Sequence, residues 1–233
     1  MPRQISAMLY FLTTEYKRSL VIFWSILFST IVLSLMLSYF LNGNKDIKMV
    51  FLLSGPVYLF CAIHAFISVK QTIPFSIKMG ASRKNIFISI GLFFIGLALV
   101  QTIIVNLFAE VLRFIVQTMD ISTFLIIHPA QLLDNSLANR LVIDFALMLF
   151  LLSVMFVFGI LFYRYGLIGG GSLGAVMAVS FIFAVAKGWM GQWISFFFES
   201  INVGLFYWIM LIALGVYLVA WFFVRRITVV RNV

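Results

Sequence analysis

The stretch Leu141–Phe162 reads LVIDFALMLFLLSVMFVFGILF, and its only ionisable residue is Asp144. A helix gains about 1.5 Å per residue, and roughly 20 apolar residues are needed to cross the ~30 Å hydrocarbon core of a bilayer. The stretch has the length and the apolar character for this, and inside hydrocarbon only a helix satisfies its own backbone polar groups. We therefore predict a transmembrane helix here.

Five further stretches have similar length and composition, and none of the six contains Lys or Arg. The sequence thus predicts an all-α, polytopic membrane protein with one transmembrane domain over residues 1–233 and six membrane spans. The predicted spans are Ser19–Leu41, Met49–Val69, Ile86–Ala109, Leu141–Phe162, Leu167–Ala186 and Gly204–Val224.

The composition of the whole chain agrees with this class. Of its 233 residues, 64% are apolar and 10% are charged, and the mean hydropathy is +1.16. Soluble domains are nearer half apolar and a quarter charged, and a chain of this size has too much surface to hide the excess. A soluble enzyme is excluded, and 27 Phe with only 4 Pro and 15 Gly exclude a disordered or collagen-like chain.

The net charge of +9 would point to nucleic acid in a soluble protein, but here the basic residues are first sorted by membrane side. Six spans place both termini on one side, and 11 of the 16 basic residues fall in segments on that side. Basic residues favour the cytoplasmic side. We predict cytoplasmic N- and C-termini and no nucleic-acid partner.

The inner loop Lys70–Asn85 connects the second and third predicted spans and carries four basic residues. Pro74 and Gly80 predict a short helix over Phe75–Met79, because proline starts helices and glycine ends them. Ser82 is placed to cap the next helix. The basic residues also suit contact with lipid headgroups, and this alternative is compatible with a docking role.

Three other segments lie outside the predicted spans. Residues 4–18 predict an amphipathic helix along the inner membrane surface. In Glu110–Arg140, we expect the third helix to continue past Arg113 and a turn near Pro129. Lys187–Val203 predicts a re-entrant or interfacial aromatic hairpin at the outer face, although a plain aromatic belt also explains it. The apolar face of residues 4–18 comprises Ile5, Met8, Leu9, Leu12 and Tyr16.

Residues 170–174 read GGSLG, a formal match to the G-x-S-x-G motif of serine hydrolases. Ser172 and His64 are predicted at similar depth, which leaves an intramembrane serine protease open, although no carboxylate is predicted there to orient the histidine. Small residues every fourth position also let membrane helices approach closely. We favour this packing role for Gly166, Gly170 and Gly174.

No bound cofactor is predicted for the chain itself. His64 and His128 are predicted at different membrane depths, so they cannot share a metal, and no metal site is expected. The sequence lacks G-x-x-x-x-G-K-[ST], so it has no P-loop for ATP. The near absence of charge within the spans disfavours ion-coupled transport. A partner protein is therefore the expected source of energy.

The chain resembles the membrane subunits of ABC-2-type exporters, which have the type V ABC transporter fold. The resemblance rests on the amphipathic segment before the first span, the six-span plan, the aromatic segment between the last two spans and the basic tail RRITV at 225–229. The run MGASRKNIF at 79–87 is also similar to the Gly-x-Ser/Thr-Arg pattern that follows the coupling helix in that family. Compact Gram-positive peptide-exporter permeases, such as those of phenol-soluble-modulin exporters, are similar in size and plan.

The resemblance implies a bacterial cell-membrane permease that is not itself an enzyme. It would pair with a second permease copy or a paralogue, bind two copies of a separate ABC ATPase that carries ATP and Mg, and export an amphipathic peptide or a lipid-like compound. It implies a coupling site at Pro74, Phe75, Lys78, Met79, Gly80, Arg83 and Lys84. It also implies an outer re-entrant gate at Trp189, Trp193, Phe196, Phe197 and Glu199. The alternatives are the serine protease and a membrane sensor or scaffold.

Overall fold

The computed structural model describes residues 2–42, 48–191, 201–225 and 227. The described chain is 85% helical, and five of its helices are long and apolar enough to cross a membrane. The helices are α1 (Pro2–Phe40), α2 (Ser54–Lys78), α3 (Arg83–Thr118), α4 (Leu137–Ala186) and α5 (Val203–Val224), with a short 3₁₀ helix at Pro129–Leu132 and strands β1 (Met49–Leu52) and β2 (Phe124–Ile127).

The two short strands are an addition to the predominantly helical fold that the sequence predicts. β1 and β2 pair in parallel, with Met49 opposite Phe124 and Leu52 opposite Ile127. The second predicted span began at Met49, but α2 begins only at Ser54. A short apolar run before a helix cannot be assigned to strand or helix from hydropathy alone, so the sequence merged β1 with the helix that follows it.

Helix α1 is continuous from Pro2 to Phe40, so the structure has no separate helix ending near Arg18. The predicted apolar face is nevertheless real. Met8, Leu12 and Tyr16 are buried in the main core, which also contains residues of α2 and α3. The face that we assigned to the membrane surface therefore packs against the protein's own helices.

Helices α1 and α3 run parallel, as three contacts along their length show. Near the start of both helices, the Asn85 amide donates to Gln4 Oε1 at 2.6 Å. Farther along, the Gln101 amide donates to the Tyr16 hydroxyl at 2.6 Å, and the rings of Trp24 and Phe108 lie 5.8 Å apart. In all three pairs, the residue number on α3 exceeds the residue number on α1 by nearly the same amount. Each residue of α1 therefore lies beside an α3 residue at a nearly constant offset in the sequence.

Helix α4 is broken at Gly166, whose φ of 66° and ψ of −165° are not helical. Eight residues of straight helix span about 12 Å. A Cβ on Gly170, however, would lie 2.5 Å from Cγ of Phe162, so the chain folds back at the break. A positive φ costs glycine little because it has no side chain.

Helix α5 runs in the same direction as residues 137–165 of α4. Phe206, near the start of α5, packs with Ile143, near the start of α4. Farther along both helices, the ring of Tyr217 stacks on Phe156 at 5.5 Å. The chain must therefore return to its starting end between these two helices, and the fold-back at Gly166 begins that return.

Candidate functional site

A buried polar cluster surrounds Asp144, the one acid that the sequence placed within a predicted span. The Asp144 carboxylate is fully buried and accepts hydrogen bonds from three different elements. The Tyr58 hydroxyl of α2 donates to Oδ1, and the Asn106 amide of α3 donates to Oδ2 at 2.6 Å. Nε2 of His128 lies 3.0 Å from Oδ1. We call Tyr58, Asn106, His128 and Asp144 the polar cluster.

The local backbone orients His128 within this cluster. His128 precedes the 3₁₀ helix that begins at Pro129, and its Nδ1 accepts a hydrogen bond from the Ala130 amide at 3.0 Å. A neutral imidazole has one donor and one acceptor nitrogen. Because Nδ1 is the acceptor, Nε2 carries the proton and donates a hydrogen bond to Asp144.

A second layer of charged residues lies one helical turn away on α3 and α4. Arg140 precedes Asp144 by four residues, and its guanidinium donates to Glu110, which follows Asn106 by four. Arg140 also donates to Asn135 Oδ1 at 2.6 Å, and Arg113 pairs with Glu110 at 2.8 Å. These two layers join α2, α3, α4 and the segment around His128. Most of their polar groups bond to one another, which is typical of a structural clamp.

The sequence shows Asp144 within a predicted span but does not predict its partners. The available signal was the cost of an ionisable group at membrane depth, which makes such residues pair with other polar groups. Asn106 and Tyr58 belong to predicted spans, and His128 lies in the outer segment. Nothing in the linear spacing indicates that all three meet one carboxylate.

The predicted coupling residues form an exposed turn at the opposite end of the bundle. Helix α2 continues through Pro74 to Lys78, so the predicted short helix is the last part of α2 and not a separate element. Gly80 has a φ of 78°. The Ser82 hydroxyl accepts a hydrogen bond from the main-chain N–H of Asn85, which confirms the predicted cap. Residues 78–84 form what we call the basic turn, whose exposed members are Lys78, Met79, Gly80, Ser82, Arg83 and Lys84.

The basic turn and the end of α2 are held to other helices by specific contacts. The Phe75 ring stacks on Phe11 of α1 at a centroid distance of 4.5 Å. Arg83 donates to the main-chain carbonyl of Arg225, at the end of α5. Near that contact, the Tyr217 hydroxyl of α5 donates to the Phe87 carbonyl of α3 at 2.6 Å. A force applied to the turn would therefore act on four helices together.

The predicted outer gate falls mostly outside the described residues. Trp193, Phe196, Phe197 and Glu199 lie there, so their roles stay predictions. Trp189 is described, is half exposed, and packs edge-on against Phe183 at 6.0 Å.

The three glycines predicted for helix packing occupy different environments. Gly166 is at the break in α4, and Gly170 lies against Phe162 on the other side of that break. A Cβ on Gly174 would meet no atom of the described chain within 4 Å. Contact of Gly174 with a second copy therefore stays a prediction.

The structure does not bring together the residues of the alternative protease site. The His64 ring packs edge-on against Tyr16 at 4.5 Å and also neighbours Phe60 and Phe93. The Ser172 hydroxyl is exposed and donates to the Gly169 carbonyl at 3.0 Å. Within the described ranges, no hydrogen bond joins Ser172 to His64, and no group of three His, Cys, Asp or Glu side chains is arranged to hold a metal ion.

Comparison with known proteins gives no assignment. No protein-family model, curated protein or solved structure matches the chain.

Proposed function

We propose that this chain is the transmembrane permease subunit of an ATP-driven ABC exporter in a bacterial cell membrane. The observation that carries the proposal is the basic turn, a compact and exposed element at the end of α2, where Phe75 contacts α1 and Arg83 contacts the residue that follows α5. An ATPase docked there would bind residues 78–84 and move the helices together. ATP and Mg would be bound by the ATPase, because this chain has no P-loop.

The six-span topology of the proposal is supported by the fold-back in α4. Helix α4 has 50 residues, which corresponds to about 75 Å of helix and is enough for two crossings of a ~30 Å core. With the break at Gly166, five long helices supply six spans. Both termini then lie on the side of the basic turn, where the excess of Lys and Arg indicates the cytoplasm.

The contacts of the basic turn support its role as the coupling element. Energy coupling needs an element whose movement reaches other helices as a rigid-body shift. Phe75, just before the turn, stacks on Phe11, and Arg83 donates to the carbonyl of Arg225, just after α5, so the turn cannot move alone. Within the described part of the chain, Lys78, Met79 and Lys84 are exposed and can contact an ATPase surface.

A second permease copy or a paralogue completes the proposed transport path. Residues 175–183 of α4 are all exposed, and most of them are large and apolar. Such a face suits either lipid or a second permease, and small residues such as Gly174 permit close helix approach. An apolar path between two permeases would suit an amphipathic peptide or lipid-like cargo.

The proposal is tested with a Phe75→Ala/Met79→Ala double variant, co-expressed with an ABC ATPase from the same genome that the wild-type chain retains on purification. The matched control is Phe114→Ala/Met119→Ala. Met79 and Met119 directly follow the last residues of α2 and α3, at opposite ends of the bundle. Their side chains are 73% and 57% exposed, and Phe114 is also exposed. The measurements are retention of the ATPase by the tagged permease and ATP-dependent transport in proteoliposomes.

We expect the Phe75→Ala/Met79→Ala variant to lose ATPase retention or transport while it stays folded and inserted. The Phe114→Ala/Met119→Ala control should match the wild type. A Phe11→Ala variant, which removes the same ring stack without changing the turn, separates loss of the stack from loss of the docking surface. Unchanged retention and transport in the first variant would reject the coupling role.

A further inference from the structure

An apolar groove lies between α1 and α3. Its volume is about 460 Å³, within the roughly 300–1,000 Å³ of small-molecule sites. Each helix contributes side chains at helical spacing, so the groove follows both helices for several turns. Lining positions include Leu9, Tyr16 and Leu20 of α1 and Leu92, Gly96 and Val100 of α3.

One charged side chain, Lys17, lines this groove. The neighbouring polar groups are already engaged. The Thr13 hydroxyl donates to the Leu9 carbonyl, and the Gln101 amide donates to the Tyr16 hydroxyl. Gln101 also accepts from the Trp24 indole at 3.2 Å. Within the described residues, no acidic side chain forms an ion pair with Lys17, so its ammonium is available to a ligand.

The position of Lys17 along the bundle makes an anionic ligand favourable. Tyr16, its neighbour, contacts Gln101 and Phe93, which belong to the middle of the predicted span Ile86–Ala109. Lys17 precedes the predicted span Ser19–Leu41 by two residues, but the pairing of α1 with α3 places it level with the middle of the predicted span Ile86–Ala109, and therefore deeper than the first span alone implies. A cation there is costly unless it meets water or an opposite charge. A negatively charged group at the groove would lower this cost.

We propose that the groove between α1 and α3 binds a single-chain amphiphile with a carboxylate head, such as a fatty acid. The alkyl chain would lie along the apolar floor formed by Leu92, Leu97 and Val100, and the carboxylate would pair with Lys17. The volume suits one alkyl chain, and the single unpaired cation favours an anionic head over a zwitterionic one. As a cargo site the groove rests on the proposed exporter function, whereas as a binding site it does not require an ATPase.

The experiment uses the full chain in phosphatidylcholine nanodiscs, without any ATPase. The probes are palmitic acid with a diazirine in its chain and the corresponding uncharged alcohol. After illumination, mass spectrometry locates the labelled residues. We expect the acid to label the groove, and Lys17→Gln to reduce this labelling about tenfold at low probe concentration, as loss of a charge-assisted hydrogen bond predicts. The alcohol should label the groove weakly in both proteins.

A second variant tests the groove by filling it. A Cβ on Gly96 would meet no atom within 4 Å, so the side chain of Gly96→Leu enters open space without distorting the helices. The matched control is Gly215→Leu on α5, where the space is also open. Lys48→Gln, at an exposed site outside the groove, is the control for charge. Gly96→Leu should abolish labelling of the groove, and both controls should retain it.

The possible outcomes are distinguishable. Labelling spread evenly over the exposed helices, or unchanged by Lys17→Gln and Gly96→Leu, would overturn the proposed site. Equal labelling by the acid and the alcohol would overturn the role of Lys17. Specific labelling in a chain that retains no ATPase would support the groove and count against the exporter function.

Discussion

None of residues 140–163 of α4 is exposed, since this part packs against α2, α3 and α5, whereas residues 175–183 of the same helix are all exposed. Both parts are strongly apolar, so hydrophobicity does not explain the difference. The first part contains Asp144, which bonds to three other segments, and Gly159, which lets α2 approach closely. In the second part, taken here as all of α4 after the break at Gly166, Ser172 and Ser180 bond only to carbonyls of their own helix.

The comparison shows what makes a membrane helix pack. Lipid chains are as apolar as leucine, so burial of apolar side chains alone gives no preference for protein over lipid. Close approach at small residues and hydrogen bonds between helices supply the preference. Within this chain, the first part of α4 uses both, and the second part has a small residue, Gly174, without a described neighbour.

The largest expected effect comes from removal of the carboxylate that joins the buried helices. Asp144→Ala leaves the hydrogen-bond donors of Tyr58, Asn106 and His128 without their acceptor in a buried site. Breaking such a cluster costs about 3–5 kcal/mol in the free energy of unfolding. Thermal unfolding in mild detergent measures the loss. The control is Asp134→Ala, since Asp134 is exposed, and a loss no larger than that of the control would show that the cluster does not hold the bundle together.

A smaller effect is expected where α4 approaches α2 most closely. A Cβ on Gly159 would lie 2.8 Å from the Phe66 carbonyl oxygen, and this backbone atom cannot turn aside as a side chain can. Gly159→Leu should therefore separate the helices and lower the free energy of unfolding by about 1–3 kcal/mol. Gly215→Leu is the control, because a side chain there has open space. If both variants unfold alike, the close contact is not important for stability.

The sequence predicted the helical elements well where one physical requirement decides them. Long apolar runs predicted the helices, and the spacing of Met8, Leu12 and Tyr16 predicted a buried face of α1. Ser82 predicted the start of α3 because a serine hydroxyl can accept from the amide three residues later. In each case the feature is decided by residues that are close together in the sequence, so the sequence alone is enough to predict it.

The sequence failed where the structure depends on residues distant in the chain. The pairing of β1 with β2 joins segments more than 70 residues apart, and neither alone is distinguishable from part of a helix. The polar cluster likewise needs Tyr58, Asn106 and His128 to meet Asp144. The apolar face of α1 was assigned to the membrane surface because periodicity shows that a face is buried without showing what covers it.

The smallest expected effect on unfolding sharpens the comparison within α4. Gly174→Leu should change the free energy of unfolding of the monomer by less than about 0.5 kcal/mol, because the new side chain meets no described atom. The same change should lower the dimeric fraction if residues 175–183 face a second copy, since a leucine prevents close approach.

Chemical crosslinking in membranes, with a cysteine at Val176 in a Cys61→Ser background, measures the dimer. The control is a cysteine at Leu59 of α2, which is exposed but lies outside this face. Crosslinking at Val176 that falls with Gly174→Leu supports a permease pair through this face. Equal crosslinking at both cysteines, or no response to Gly174→Leu, would show that lipid covers the second part of α4.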